Sequence, residues 1–116
     1  MWELADELEM SIFGTSAKYI DACKEEGIRP SEFADLSKLR MILSTGSPLL
    51  GKSFDYVYDH VKKDVHLASI SGGTDIISCF ALGSPTLAIK KGELQCRGLG
   101  MDVHSYDPEE IGRAHV

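Results

Sequence analysis

Two short segments hold residue types that can do chemistry. The first, Ser71-Gly72-Gly73-Thr74-Asp75, sets two glycines ahead of a hydroxyl and a carboxylate. Without side chains at 72 and 73, the backbone can approach a ligand closely and turn its N–H groups on an anion. Thr74 adds a hydroxyl donor, and Asp75 adds a hard oxygen suited to magnesium. Together they can hold a phosphate and its metal; the same residues also make an ordinary glycine turn with a Thr-Asp capping pair. The second segment is Thr45-Gly46-Ser47-Pro48. Both follow apolar runs, and in an open α/β sheet ligands bind beyond the carboxyl ends of the strands.

The remaining reactive residue types narrow the field. His60, His66, His104 and His115 have neither HExxH nor HxH spacing. There is no GxSxG elbow, and no serine has an evident His/Asp partner. Cys23, Cys79 and Cys96 are widely spaced, odd in number and form no CxxC pair, which argues against a zinc knuckle. They read as free thiols in a reducing cytosol, a cytoplasmic setting.

The elements around the two segments read as follows. Trp2, Leu4, Ala5 and Leu8 recur with helical spacing. Ser11 to Gly14 reads as a brief extended segment. Thr15 or Ser16 can cap a helix over 16–26, with Gly27 placed to stop it. Residues 28–31 read as loop, and Asp35 can cap a single turn over 36–39. Residues 40–44 form an apolar run that breaks at Thr45, a buried strand and its turn. Phe54, Val57, Tyr58 and Val61 follow the i, i+3, i+4, i+7 pattern of a helix with one buried face, followed by Lys62 and Lys63 where the dipole favours cations. Val65 to Ile70 is the next strand. Residues 40–75 thus predict a βαβ unit, normally a parallel pair. Beyond Gly83-Ser84-Pro85-Thr86, residues 93–97 and 101–106 alternate apolar and polar around Gly98-Leu99-Gly100 and read as one or two strands. The fold class is α/β, a parallel βαβ unit followed by a β-rich segment.

The totals agree. A chain of 116 residues with 43% apolar content suits one domain or part of one. No run approaches the roughly 18–20 apolar residues of a membrane span, and residues 1–7 show no signal peptide. A formal net charge of −6 argues against nucleic acid as a main partner.

Four words in order carry a family resemblance: residues 13–20 (FGTSAKYI), 42–49 (ILSTGSPL), 69–76 (SISGGTDI) and 92–101 (GELQCRGLGM). Over residues 2–107 the chain resembles the acetoacetyl-CoA synthetase family of the adenylate-forming enzymes, the superfamily of acyl-CoA synthetases and luciferases. The resemblance implies part of the large N-terminal AMP-binding domain of an acid–thiol ligase. Such a ligase adenylates acetoacetate with ATP and Mg2+, then passes the acyl group to coenzyme A, a reaction of ketone-body and lipid metabolism. It implies that Gly46, Ser47 and Pro48 line the nucleotide pocket. Ser71, Gly72, Gly73 and Thr74 match the adenine and α-phosphate loop, with the Thr74 hydroxyl toward the α-phosphate as the catalytic donor. Asp75 matches the magnesium position, and Phe13, Gly14 and Thr15 the segment lining the acyl pocket. Most of the superfamily carries an aromatic residue near Ser71 or Gly72 and Glu at the position of Asp75, which leaves open what replaces the stacking contact.

The resemblance also implies companions that these residues do not include: an upstream phosphate loop ending in lysine, and downstream a ribose-binding aspartate, a hinge and a catalytic lysine. The chain is therefore expected to be a fragment, inactive alone, that needs the remainder of its own domain. A ligase for another short-chain acyl acid and a stand-alone nucleotide-binding module are the alternatives. Residues 108–116 leave the family pattern. Their end, Ile111 to Val116, equals one reading frame of a common sequencing adapter, and a non-family tail of that origin is the expectation.

Overall fold

A computed structural model describes residues 1–106, 108 and 109. The elements in chain order are α1 (Trp2–Glu7), β1 (Ile12–Ser16), α2 (Ala17–Glu25), a 3-10 turn (Pro30–Glu32), β2 (Met41–Thr45), α3 (Gly51–His60), β3 (His66–Ser69), β4 (Ser71–Gly73), β5 (Ser78–Leu82) and β6 (Cys96–Arg97). The tail expected over 108–116 lies, apart from Pro108 and Glu109, outside the described residues.

The first three strands form one parallel sheet in the order β1-β2-β3. Their side chains alternate between faces. Phe13, Ile42 and Leu67 stand in register on one face, and all three are buried. That face packs with Ile20 and Cys23 of α2 and with Phe54 and Val57 of α3 into the hydrophobic core. The expected βαβ unit is therefore present, with a further strand, β1, added ahead of it. The opposite face, where Ile12, Met41 and His66 stand in register, is only half covered.

Local chemistry explains the helix limits. The Ser16 hydroxyl accepts the Tyr19 N–H at 3.1 Å, so Ser16, not Thr15, is the cap. At the other end Gly27 takes φ +69°. Its N–H reaches Lys24 O, and the Ile28 N–H reaches Cys23 O at 3.0 Å; that pair of bonds is the Schellman pattern that ends helices at glycine. Asp35 accepts the Ser37 N–H at 3.1 Å, and the Leu39 N–H bonds Leu36 O, which is the expected single turn. In α3, Phe54, Val57 and the following Val61 are buried as the periodicity implies, and so is Tyr56, outside that stripe. The Tyr56 hydroxyl donates to Ile28 O at 2.7 Å, which carries its polar end out of the core. Lys62 lies beyond the helix and donates to the Leu39 and Ser37 carbonyls.

The second half differs from expectation in detail. Residues 71–73 are not a turn but strand β4, paired antiparallel with β5 across a bulge between Ser71 and Gly72. The turn falls at Thr74–Ile77, closed by Ile77 N–H to Thr74 O. The reason is space: a Cβ on Gly72 would collide with the Ser78 carbonyl oxygen and lie 3.0 Å from Cys79 Cα. Glycine here permits strand contact at the bulge. The β-rich segment therefore begins at Ser71, and β5 completes a sheet of order β4-β5-β6. The strand expected over 93–97 shrinks to Cys96–Arg97. Residues 101–106 contribute an isolated bridge at Tyr106.

Candidate functional site

The carboxyl ends of β2 and β3 frame an open cleft of about 290 Å3. Thr45, Gly46, Ser47 and Pro48 form one wall, and Ser69, Ile70, Ser71 and Gly72 the facing one. Leu94 reaches in from a distant part of the chain. The first segment singled out from sequence and the first two residues of the second thus meet where an open α/β sheet receives ligands.

Each wall has a local cause. Gly46 takes φ +88°, a left-handed conformation that costs a residue with a Cβ roughly 1–2 kcal/mol. It turns the chain off β2 toward α3. The facing wall begins inside the parallel ladder, since the Ile70 N–H bonds Ser44 O at 2.8 Å. It ends in the antiparallel sheet at Gly72, so the cleft lies where one sheet hands over to the other. Ser44 is the register partner of Ser69 in the wall, and both are buried. The Ser44 hydroxyl has no hydrogen-bond partner.

Other expected site residues stand apart from this cleft. Gly73, at the end of β4, and Thr74 and Asp75, on the β4–β5 turn, are exposed and do not line it. Among the described residues no group of three His, Cys, Asp or Glu side chains gathers to hold a metal. Phe13 sits in the core, its ring 4.9 Å from Trp2 and 6.3 Å from Tyr19. Gly14 faces the opposite side of the sheet and is exposed, with open space where a Cβ would be. Thr15 is half-buried. The Phe13-Gly14-Thr15 segment therefore runs alongside β2 with its residues divided between faces.

The histidines do not converge. His60 packs its ring 5.8 Å from Tyr56, and His104 meets Asp102 and the Tyr106 ring. His115 lies outside the described residues. All three cysteines are free. Burial raises three phenols, Tyr19, Tyr56 and Tyr58. Burial, then a hydrogen bond to Cys23, pushes Tyr19 up to about 12; burial, then the Cys23 charge, does the same for Tyr56.

Sequence reasoning missed Leu94 and Gln95. Alternation over 93–97 predicts a strand but not which side chain faces the cleft. The Gln95 amide instead gathers a network. Its Oε1 accepts from the Ser84 N–H at 3.0 Å and lies 2.6 Å from His66 Nε2. Its Nε2 donates to Leu87 O at 2.8 Å and to Ser84 O at 3.2 Å.

No family model matches the chain. The mixed fold, a parallel three-stranded sheet joined to an antiparallel one, matches the N-terminal domain of acyl-CoA synthetases. At the level of fold alone, the anthranilate CoA ligase AuaEII, solved with anthranoyl-AMP, is similar over 78% of this chain and 17% of its own. That match has a TM-score of 0.67 and 19% identity. A closer likeness is to the acetoacetyl-CoA synthetase of Streptomyces lividans, with a TM-score of 0.81 and 43% identity over 92% of this chain and 17% of its own. Curated acetoacetyl-CoA synthetases of Rhizobium meliloti (strain 1021) and Gallus gallus are 50% and 49% identical over 109 residues, 94% of this chain. The chain is homologous to the acetoacetyl-CoA synthetases, and it spans 17% and 16% of the length of those two relatives.

Proposed function

We propose that the chain is one segment of an ATP-dependent acid–thiol ligase that adenylates acetoacetate and transfers the acyl group to coenzyme A. The observation that carries this is the convergence of Thr45–Pro48 and Ser69–Gly72 on one cleft at the strand ends. Likeness to acetoacetyl-CoA synthetases over nearly the whole chain supports it.

In the proposed reaction a carboxylate oxygen attacks the α-phosphorus of ATP, and the bond to the pyrophosphate leaving group breaks. The thiol of coenzyme A then attacks the acyl carbon, and AMP leaves. Gly46, Ser47 and Pro48, with Ser71, Gly72 and Gly73, bind the nucleotide and keep its base from water. The Thr74 hydroxyl donates to the α-phosphate as negative charge builds there, the kind of fixed donor that favours a charged transition state. Asp75 is a single exposed carboxylate. It fits magnesium, which commonly takes one or two carboxylates alongside phosphate oxygens and water. When bound, the ion neutralises phosphate charge. Phe13, Gly14 and Thr15 belong to the acyl side, with Phe13 acting through packing. The segment by itself does not turn over, and the rest of its domain completes the site.

The test is pyrophosphate release by the full-length protein carrying this segment, supplied with ATP, Mg2+, coenzyme A and a panel of short acyl acids. Preference for acetoacetate supports the reading, and preference for another acid would reassign the substrate. Release of no pyrophosphate with any acid, together with ATP binding, would leave a nucleotide-binding module without catalysis.

A further inference from the structure

We infer that Leu94 is the apolar platform against which the base of the nucleotide rests, and that Gln95 is the positioning residue that holds it there; this rests on the nucleotide reading above. Leu94 is 40% exposed. Among the described residues it is the one lining side chain drawn from outside residues 45–72. Beside it the lining mixes the hydroxyl residues Thr45, Ser47, Ser69 and Ser71 with Pro48 and Ile70. A base is a flat ring with a polar edge, and small-molecule sites serve such a group with apolar contact plus a few placed polar atoms. The nearby strand cannot supply the flat contact from position 72, because a Cβ on Gly72 would strike the Ser78 carbonyl oxygen. Leu94 supplies a large aliphatic side chain in its place.

Residues 83–95 form no helix or strand, so Leu94 needs an anchor. Its neighbour provides one. The Gln95 amide bonds the 84–88 loop through Ser84 and Leu87 and, through His66, the first residue of β3. The carbonyl of Ala88 accepts from the same Nε2 at 3.3 Å. Because β3 also carries Ser69 of the cleft, Gln95 ties the segment bearing Leu94 to the strand that carries one wall.

The experiment measures binding of ATP and of ribose 5-triphosphate, which lacks the base, to the full-length protein without acid or coenzyme A. Leu94→Ala should weaken ATP about tenfold, the loss of roughly one aliphatic contact, and leave the base-free probe unchanged. Leu94→Met should keep affinity within about twofold, since the swap conserves volume. Gln95→Leu should raise the KM for ATP with kcat at saturating ATP near wild type. Equal loss for both probes, no loss for either, or a rise in the KM for the acid instead would overturn the inference and leave the nucleotide reading standing. Failure of the wild-type protein to bind ATP would overturn both.

Discussion

Gly46 and Gly72 both line the cleft, and each is glycine for a different physical reason. At Gly46 the backbone angle excludes other residues; at Gly72 the neighbouring strand does. Gly46→Ala should therefore cost about 1–2 kcal/mol of stability. Gly72→Ala should cost more, because β5 must move and the bulge must open. Thermal melts of both variants in the full-length protein check the order; a smaller loss at 72 would show that the strand yields easily. Beyond the cleft, Thr74→Ala should lower kcat by about 100-fold, as removal of a donor to a developing charge does. Asp75→Asn should raise the magnesium concentration needed for half-maximal pyrophosphate release. The residue types at 71–75 made the need for glycine legible in the sequence. The reason was not legible, since it depends on Ser78 and Cys79, whose approach no local pattern announces.

The elements divide along the same line between local and distant causes. α2, α3 and the parallel strands could be read because apolar periodicity and caps are local. β6 exists through pairing with β5 across the 83–95 loop, and two residues carry no periodicity to read. The cap and the phenols of Tyr19, partly buried, and Tyr56, buried, lend themselves to measurement. Ser16→Ala removes the acceptor for the Tyr19 N–H and should cost about 1 kcal/mol. For Tyr19 and Tyr56 the folded state holds the phenolic proton more tightly than the usual value of 10.0 allows, up to about 12. The folded state thus binds more protons, so its stability is fully present below pH 10 and declines as pH rises from 10 toward 12. Unfolding midpoints followed across that window should fall, and Tyr56→Phe should flatten the fall while losing the bond to Ile28 O. A flat profile in the wild-type protein would show that the phenols ionise without cost.

At the scale of the molecule the core is one-sided. A parallel sheet is ordinarily covered on both faces, yet Ile12 is 57% exposed on the face away from the helices. Ile77 and Leu99 are almost wholly exposed as well, and Phe80 partly so. The radius of gyration is 15.5 Å, against roughly 13 Å for a compact domain of about 100 residues. The chain therefore packs its elements around half a core and extends β4–β6 beyond it. Burial of apolar area is what offsets chain entropy, and the uncovered face withholds that gain. It also leaves the edges of β1 and β3 open to other chains. Expressed alone, the 116 residues should unfold at low denaturant or self-associate, with sedimentation showing species larger than 12.7 kDa at micromolar concentration. Ile12→Lys should shift the distribution toward monomer without restoring stability, because it blocks contact on the open face but covers nothing. Cooperative unfolding of a stable monomer would mean that the helix-side core suffices by itself. The exposed apolar residues would then be tolerated surface, and the need for the rest of the domain would rest on catalysis alone.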